Sequence, residues 1–274
     1  ITLARPQGWK IVPESIDFDL KIKGEEQLVT FKLFPPENQD EGLISPLIKL
    51  ADGMHYTKGA TFIEYGHIPT QTIFQNDESK IVRVDLQKRG EHIGYIKGAG
   101  DKIPESLEQI GYKVTELKDA EIISGQLDKY DAIILGIRAY NTVERLKFYQ
   151  PKLFEYVENG GTMIVQYNTT WRLKMEKEKI APYPMNLSRD RVTVEETEVR
   201  MLAPDHAVLN YPNKITAKDF DGWVQERGLY FANEWDKDKF TAILSANDPG
   251  EDPKDGGLLV AQHGKGYYIY SGYS

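Results

Sequence analysis

The segment YDAIILGIRAYNT, residues 130–142, contains an apolar run that stops at a glycine and is followed at once by polar side chains. A run with so apolar a centre is typical of a strand that is covered on both faces, as in a parallel sheet. In open α/β sheets, ligands bind where such a strand ends and its loop begins. The segment therefore predicts a fold class and a candidate site together.

The chain on either side of this segment alternates between strand and helix patterns. HIGYIKG, KVTEL and TMIVQYN read as strands, and IPESLEQIGY reads as a helix in which Leu107 and Ile110 share one face. LKFYQPKLFEYVENGG predicts a second helix, with a break at Pro151. After about Val192 the pattern returns to strands, and GLLVAQ and YYIYSGY predict a hairpin. We therefore predict a flavodoxin-like α/β domain over residues 90–274.

Residues 1–89 have a different rhythm. QLVTFKLF alternates with a period of two, and further short apolar runs are separated by Gly, Pro, Asn and Asp. No stretch of this part has a helical period. Several short strands at regular spacing predict an immunoglobulin-like β-sandwich.

Charge and composition exclude several classes of function. The formal net charge of −8 argues against a partner made of nucleic acid, which needs a positive face. No apolar run approaches the roughly 20 residues of a membrane span. The absence of cysteine excludes disulfides, thiolate metal ligands and cysteine nucleophiles. Because the chain begins with ITLARPQGW and ends just after a strand-like run, we expect it to be part of a longer protein.

Polar side chains follow two strands that should be neighbours in the predicted sheet. Parallel strands end at the same edge, so we expect these residues to meet there. An arginine can bind a carboxylate or sugar hydroxyls in fork geometry, and amides and phenols can add hydrogen bonds. Alternatively, the arginine braces an acidic loop and the tyrosines pack. The candidate ligand-binding residues at this edge are Arg138, Tyr140, Asn141, Gln166, Tyr167 and Asn168.

Nucleotide binding and nucleophilic catalysis are both disfavoured. A dinucleotide fingerprint needs a glycine where Ile103 stands, so Gly98 and Gly100 are better explained by a tight turn with Asp101 near a helix N-terminus. A strained nucleophile turn after TMIVQ would need flanking small residues, and none is present. Thr169 and Thr170 carry hydroxyls, but no base is evident beside them. We therefore expect no cofactor and no catalytic residue.

The five histidines form no pair at metal-ligand spacing, so no metal site is expected. Asp205 and His206 form the best polar cluster and are further candidate ligand-binding residues. A water- or metal-dependent hydrolytic site at this pair is one interpretation. Capping of a helix or bracing of a loop is the other, and the pattern favours it.

Four segments resemble a known family. IGYIKGAGDKIPESLEQIGYKVTEL, YDAIILGIRAYNT, LFEYVENGGTMIVQYNT and APDHAVLNYPNKI are similar to the C-terminal region of large bacterial deacetylases of the PIG-L (LmbE-like) family, best known from Bacteroidetes. In that family a metal-dependent N-acetylglucosamine deacetylase-like domain precedes a β-sandwich and a class I glutamine amidotransferase-like domain. DHAV and GKGYYIYSGY also resemble ThuA-like domains, and PQGWKIVPES resembles sandwiches attached to glycosidases.

The departures from these families shape the expected function. The deacetylase zinc motif, His-Pro-Asp-Asp, is absent, as is the amidotransferase cysteine. Tyr273 stands where ThuA-like domains have a histidine. The resemblance thus implies a non-catalytic accessory region that binds glycan or positions a covalently linked N-terminal deacetylase-like domain, in the periplasm or outside the cell. A hydrolase at Asp205 and His206 and a structural dimerisation module are the alternatives.

Overall fold

The computed structural model describes residues 1–225 and 227–273. The chain folds as two compact units, residues 1–86 and 87–274. The sequence places the division between residues 89 and 90, where the alternation of strands and helices begins. Within the described residues, none of the helices combines the length and hydrophobicity that a membrane crossing requires.

The first unit consists of strands and turns. Its strands are β1 (Thr2–Ala4), β2 (Lys10–Val12), β3 (Lys32–Phe34), β4 (Asp40–Lys49), β5 (His55–Tyr56), β6 (Lys58–Ile63), β7 (Gln71–Asn76) and β8 (Ser79–Arg83). The long strand β4 pairs with β1, β5 and β8, while β2–β3 and β6–β7 form separate two-stranded ribbons.

This arrangement does not show the predicted immunoglobulin-like sandwich. Two sheets that face each other would bury alternate apolar side chains of every strand. Among the described residues of this unit, only the apolar side chains of Trp9 and Ile11 are buried. The alternation in the sequence therefore predicted strands, but not how they assemble.

The second unit mixes strands with a few helices. Its elements are β9 (His92–Ile96), α1 (Ile103–Gln109), β10 (Lys113–Glu116), α2 (Asp119–Ser124), β11 (Ala132–Leu135), α3 (Ala139–Thr142), α4 (Leu146–Glu158), β12 (Thr162–Gln166), β13 (Met185–Val192), β14 (Arg200–Met201), α5 (Ala207–Asn210), β15 (Gly228–Trp235), β16 (Phe240–Ala246), β17 (Lys254–His263) and β18 (Gly266–Ser271), with 3₁₀ turns at Lys177–Lys179 and Ala217–Phe220.

An eight-stranded sheet with the order β10-β9-β11-β12-β18-β17-β16-β14 forms the centre of this unit. The first five strands in that order are parallel, and the last three continue the sheet with antiparallel pairing. Strands β13 and β15 form a separate antiparallel pair. The predicted α/β class is thus confirmed for this unit, and the antiparallel strands make the sheet mixed.

Strand β11 confirms the prediction made from its apolar sequence. Ile133 and Leu135 belong to one hydrophobic cluster and Ile134 to another, so the strand is covered on both faces. Its neighbours are β9 and β12, both parallel to it. The carboxyl ends of these strands therefore lie along one edge of the sheet, which is the edge that the sequence predicts for ligands.

Helix α4 continues through Pro151, where the sequence predicted a break. Leu153 and Val157 follow the proline and are fully buried, as Leu146 is before it. Burial of such side chains stabilises the fold by about 1.5–3 kcal/mol each. Packing against the sheet therefore outweighs the roughly 3 kcal/mol that an interior proline costs.

Gly266 opens β18 at a point where the backbone leaves no room for a side chain. A Cβ atom there would lie 2.1 Å from the carbonyl oxygen of Gly161 and 2.2 Å from that of Val157. Gly266, the second glycine of GKGY, therefore allows the last parallel strand to reach the C-terminal end of α4.

We expect Gly266→Ala to lower the free energy of unfolding by about 1–3 kcal/mol or more, because two carbonyl groups must move to admit the methyl group. Urea denaturation followed by circular dichroism measures the change. Lys265→Ala, in the same turn but exposed, is the matched control and should stay within about 0.5 kcal/mol of the parent chain. Equal stabilities for the two variants would contradict the close approach.

Candidate functional site

The turn after β11 has a strained backbone at a residue that carries charge. Arg138 adopts φ 58° and ψ 29°, in the left-handed region, and α3 begins at the next residue. A strained turn between a strand and a helix is the geometry by which α/β hydrolases expose a nucleophile. Here the same position holds a guanidinium. The sequence did not indicate this turn, because only glycine or asparagine signals a left-handed residue. The one strand end considered for a strained turn was that of β12, where no small residues flank it.

The neighbouring loops hold this turn in place. The amide of Arg138 donates to the carbonyl oxygen of Tyr167 at 2.8 Å. The amide of Ala99 donates to the carbonyl oxygen of Ile137 at 2.7 Å. Gly98 lies so close that a Cβ atom there would be 2.1 Å from the Ile137 oxygen. Such over-determination is what allows a strained residue to persist.

Asp101 braces the turn from the other side. Its Oδ2 accepts hydrogen bonds from the hydroxyl of Tyr95 at 2.5 Å and from the amide of Ile137 at 3.1 Å. Its Oδ1 accepts from the amide of Ile103 at 3.0 Å, in the first turn of α1. Burial, followed by the hydrogen bond to Asp101, raises the pKa of Tyr95. The GAGD segment is thus the tight turn that the sequence favours over a dinucleotide site.

Two of the predicted amides tie the strand ends together. Asn141 accepts a hydrogen bond from the amide of Thr169 at 2.9 Å and donates to the carbonyl oxygens of Thr169 and Trp171. Asn168 accepts from the amide of Tyr140 at 2.9 Å and donates to the carbonyl oxygen of Gln166. Both side chains are buried. The two side-chain amides therefore hydrogen-bond to backbone groups and fix the shape of this edge of the sheet.

Tyr140 points into the core and away from this edge. Its side chain is fully buried, its hydroxyl donates to the carbonyl oxygen of Ile180 at 3.2 Å, and the Nε2 of Gln150 donates to its oxygen at 2.8 Å. Tyr268 donates to the same carbonyl oxygen at 3.1 Å. Burial raises the pKa of Tyr140, so its phenol is neutral and cannot serve as a base at neutral pH.

Two donors at this edge remain without partners. The Nε of Arg138 and the Nε2 of Gln166 are buried atoms with no hydrogen-bond partner among the residues described. A buried donor that has lost its hydrogen bond to water without gaining another lowers the stability of the fold by about 1–3 kcal/mol. Both atoms are donors at the ends of adjacent strands, so the complementary group is an acceptor, such as a carboxylate, carbonyl or hydroxyl oxygen.

An aromatic pair includes Tyr167, which follows Gln166 and whose carbonyl oxygen accepts the amide of Arg138. The rings of Tyr167 and Tyr230 are stacked, with centroids 6.1 Å apart and planes inclined by 16°. Tyr230, in β15, also has a positive φ of 55° and its carbonyl oxygen accepts from the hydroxyl of Tyr270. Sequence reasoning missed Tyr230, because nothing in GLYFANEW indicates a left-handed residue. Arg138, Gln166, Tyr167 and Tyr230 together form the rim.

The structure separates Asp205 and His206 from the rim. They follow β14, the far edge strand, five strand spacings or about 24 Å from β11 along the sheet. The alternating directions of β18, β17, β16 and β14 also place them at the opposite end of the strands.

The side chain of His206 has a structural role. Its Nδ1 accepts the amide of Val208 at 3.2 Å as the N-cap of α5. The capping interpretation is thus confirmed for His206. Arg138 lies too far away to take part in a site at Asp205 and His206. In the described part of the chain, no three histidines or carboxylates lie close enough to hold a metal ion.

Comparisons with known proteins find only low similarity. No protein-family model and no curated protein matches the chain. A cytoplasmic protein of Salmonella typhimurium is 15% identical, with a TM-score of 0.42 over 78% of this chain and 82% of that one. A GMP synthase-like protein of Thermoplasma acidophilum is 10% identical, with a TM-score of 0.40 over 68% and 85% of the two chains. A ThuA-like protein of Bacteroides uniformis is 16% identical, with a TM-score of 0.38 over 70% and 86%. Likeness at this level carries no inference about function.

Removal of the buried Tyr140 hydroxyl should reduce the sensitivity of the fold to alkali. Burial raises the pKa of Tyr140 above its ordinary value. The contribution of the neutral hydroxyl to the free energy of unfolding is therefore complete below about pH 10 and is lost as the pH rises above it. Each such tyrosine steepens the loss of stability by at most about 1.4 kcal/mol per pH unit. Urea denaturation at several alkaline pH values should show a shallower loss for Tyr140→Phe than for the parent chain. Identical slopes would contradict the burial.

Proposed function

We propose that this chain is a non-catalytic accessory region of a larger protein and that its rim binds glycan. By its resemblance to the PIG-L (LmbE-like) deacetylases, the covalently linked partner is an N-terminal deacetylase-like domain, in the periplasm or outside the cell. The chain then holds glycan near that domain or positions the domain on it. Its second unit serves as a glutamine amidotransferase-like α/β domain without the nucleophile.

This proposal rests on the identity of the residue in the strained turn, which is Arg138. A guanidinium is permanently protonated and cannot attack a carbonyl carbon. In the next loop, the hydroxyl of Thr169 is held by a backbone group, because it donates to the carbonyl oxygen of Trp171 at 2.9 Å. What the turn can do is present a fork of donors in a fixed position, which suits binding.

The chemistry of the rim favours a hydroxyl-rich ligand. The unpartnered donors of Arg138 and Gln166 would satisfy sugar oxygens, and within the described residues Arg138 forms no ion pair that would compete for its charge. The stacked tyrosines offer an apolar surface with polar tips, which suits the flat face of a pyranose ring.

The order of the parallel strands supports the amidotransferase-like assignment. Numbered along the chain, the parallel strands of the sheet run second, first, third, fourth, fifth. Doubly wound folds with this order bind ligands where the order reverses, between the first and third strands. In this chain those strands are β9 and β11, and the Arg138 turn follows β11.

Loss of the Arg138 charge should weaken glycan binding about tenfold or more, since a hydrogen bond to a charged group contributes about 1.5–3 kcal/mol. Arg138→Gln keeps the stem of the side chain and the strained backbone. Calorimetric titration with oligomers of N-acetylglucosamine, extended by a glycan array, measures the affinity. Arg189→Gln, at an exposed arginine of β13, is the matched control and should bind as the parent chain does.

Two outcomes would contradict this proposal. Equal glycan affinity in Arg138→Gln and in the parent chain would remove the rim from binding. Release of acetate from N-acetylated sugars by the parent chain, abolished in Arg138→Gln, would show that the chain is catalytic.

A second function, self-association, is favoured by one observation in the first unit. The β6–β7 ribbon exposes Phe62 and Phe74 to 64% and 65%, and the side chain of Tyr65 between the strands is 61% exposed. An isolated two-stranded ribbon is marginally stable in water, and large exposed apolar side chains mark interaction surfaces. A second copy of this chain is the occupant that this alternative requires.

If the ribbon mediates dimerisation, the joint variant Phe62→Ser and Phe74→Ser should be monomeric where the parent chain forms dimers. Sedimentation equilibrium over a range of concentrations measures this directly. Lys58→Ser, on the same ribbon, is the polar control and should leave the association unchanged. A parent chain that is monomeric at every concentration would exclude the alternative and leave the glycan proposal untouched.

A further inference from the structure

A groove in the second unit has the chemistry of a second binding site. It has a volume of about 770 Å³ and lies where the chain before β13 meets the end of β15. This volume falls within the range of sites for small molecules. The groove is lined by residues 177–178, 181–186 and 234–236, and none of these belongs to the rim.

The floor of the groove is aromatic and firmly positioned. Trp235 pairs with Met185 across the two strands. A Cβ atom at Gly256 would lie 3.0 Å from the Trp235 ring, so the glycine allows the ring to pack closely against the sheet. Tyr183 is held by its hydroxyl, which donates to the carbonyl oxygen of Gln262 at 3.1 Å. These rings are thus ordered before any ligand arrives, which lowers the entropic cost of binding.

Three polar side chains of the groove, those of Glu234, Asp236 and Asn186, carry hydrogen-bond acceptors with few partners. Glu234 and Asp236 form no ion pair with a described lysine, arginine or histidine. The carboxylate of Asp236 accepts one hydrogen bond from the described residues, from the amide of Asp238 at 3.0 Å to Oδ1. Asn186 donates its amide to Asn233 at 3.0 Å and receives no hydrogen bond on its own oxygen from the described residues.

The charge of the groove is negative. Its one basic side chain among the described lining residues, Lys177, lies 4.0 Å from Glu178, so these two charges largely offset each other. The carboxylates of Glu234 and Asp236 remain. An aromatic face beside uncompensated carboxylates attracts a cation, through the negative face of the ring and through the carboxylate charge.

The fold already brings an ammonium group to an aromatic ring of this groove. The Nζ of Lys239 lies 5.3 Å from the centroid of the Tyr183 ring. Tyr183 thus already has a cationic partner within the chain, which leaves the Trp235 ring as the aromatic surface for a ligand.

We propose that this groove binds a small organic ammonium ion, with its alkyl body on Trp235 and its charge beside Glu234 and Asp236. An anion would meet two uncompensated carboxylates. A neutral apolar molecule would use the ring but leave the carboxylates without a partner. The cation satisfies both parts of the groove at once.

Choline is the probe, and dimethylbutanol, in which carbon replaces the nitrogen, is its neutral isostere. The groove should bind choline and should bind the isostere at least about fivefold more weakly. Glu234→Gln, at an exposed position, should weaken choline binding about two- to fivefold. Lys177→Gln should strengthen it by a similar factor, because it leaves the carboxylate of Glu178 without its offsetting charge.

Calorimetric titration and nitrogen-15 chemical shifts of the full chain, at low and at physiological salt, measure these affinities. The opposite signs of the two exposed variants distinguish a charge effect from loss of folding, and Arg138→Gln should leave choline binding unchanged. Equal affinity for choline and its isostere would overturn the proposal. So would the absence of shifts in residues 181–186 and 234–236 at millimolar choline, or changes of the same sign in both variants.

Discussion

The hydrogen bond from the amide of Arg138 to the carbonyl oxygen of Tyr167 joins the ends of two parallel strands and fixes the candidate site. Left-handed backbone is unfavourable for a residue with a side chain, so the turn persists only where its surroundings determine it. Asp101, Gly98 and Asn168 provide those surroundings. The strain therefore places the Arg138 side chain at the edge of the sheet with its Nε buried.

This constraint separates the polar residues of the edge into two groups. Asn141 and Asn168 complete backbone hydrogen bonds, and Tyr140 completes the core. Arg138 and Gln166 retain donors that no described residue meets. A residue type alone does not distinguish these roles, because an asparagine that braces a loop and an asparagine that binds a ligand look the same in a sequence.

The sequence predicted much of the second unit. The apolar run of β11 indicated a strand covered on both faces, and it lies at the centre of the parallel part of the sheet. It also indicated that the strand ends meet at one edge. It could not indicate the left-handed turn at Arg138, since arginine carries no preference for that conformation, or the role of Tyr230, which arrives from a distant strand. Pro151 suggested a break in α4 because the local cost of proline is visible in sequence and the burial of Leu153 is not.

In the first unit, by contrast, the alternation in the sequence predicted strands but not their assembly, because that depends on contacts that no short pattern encodes. Binding of a ligand at the Arg138 turn can be followed directly through the nitrogen-15 signal of the Arg138 Nε–H. On addition of glycan oligomers we expect a new hydrogen bond, seen as a shift and slower solvent exchange of this one signal. A glycan that binds the chain while the Arg138 Nε–H signal stays unchanged would contradict this expectation.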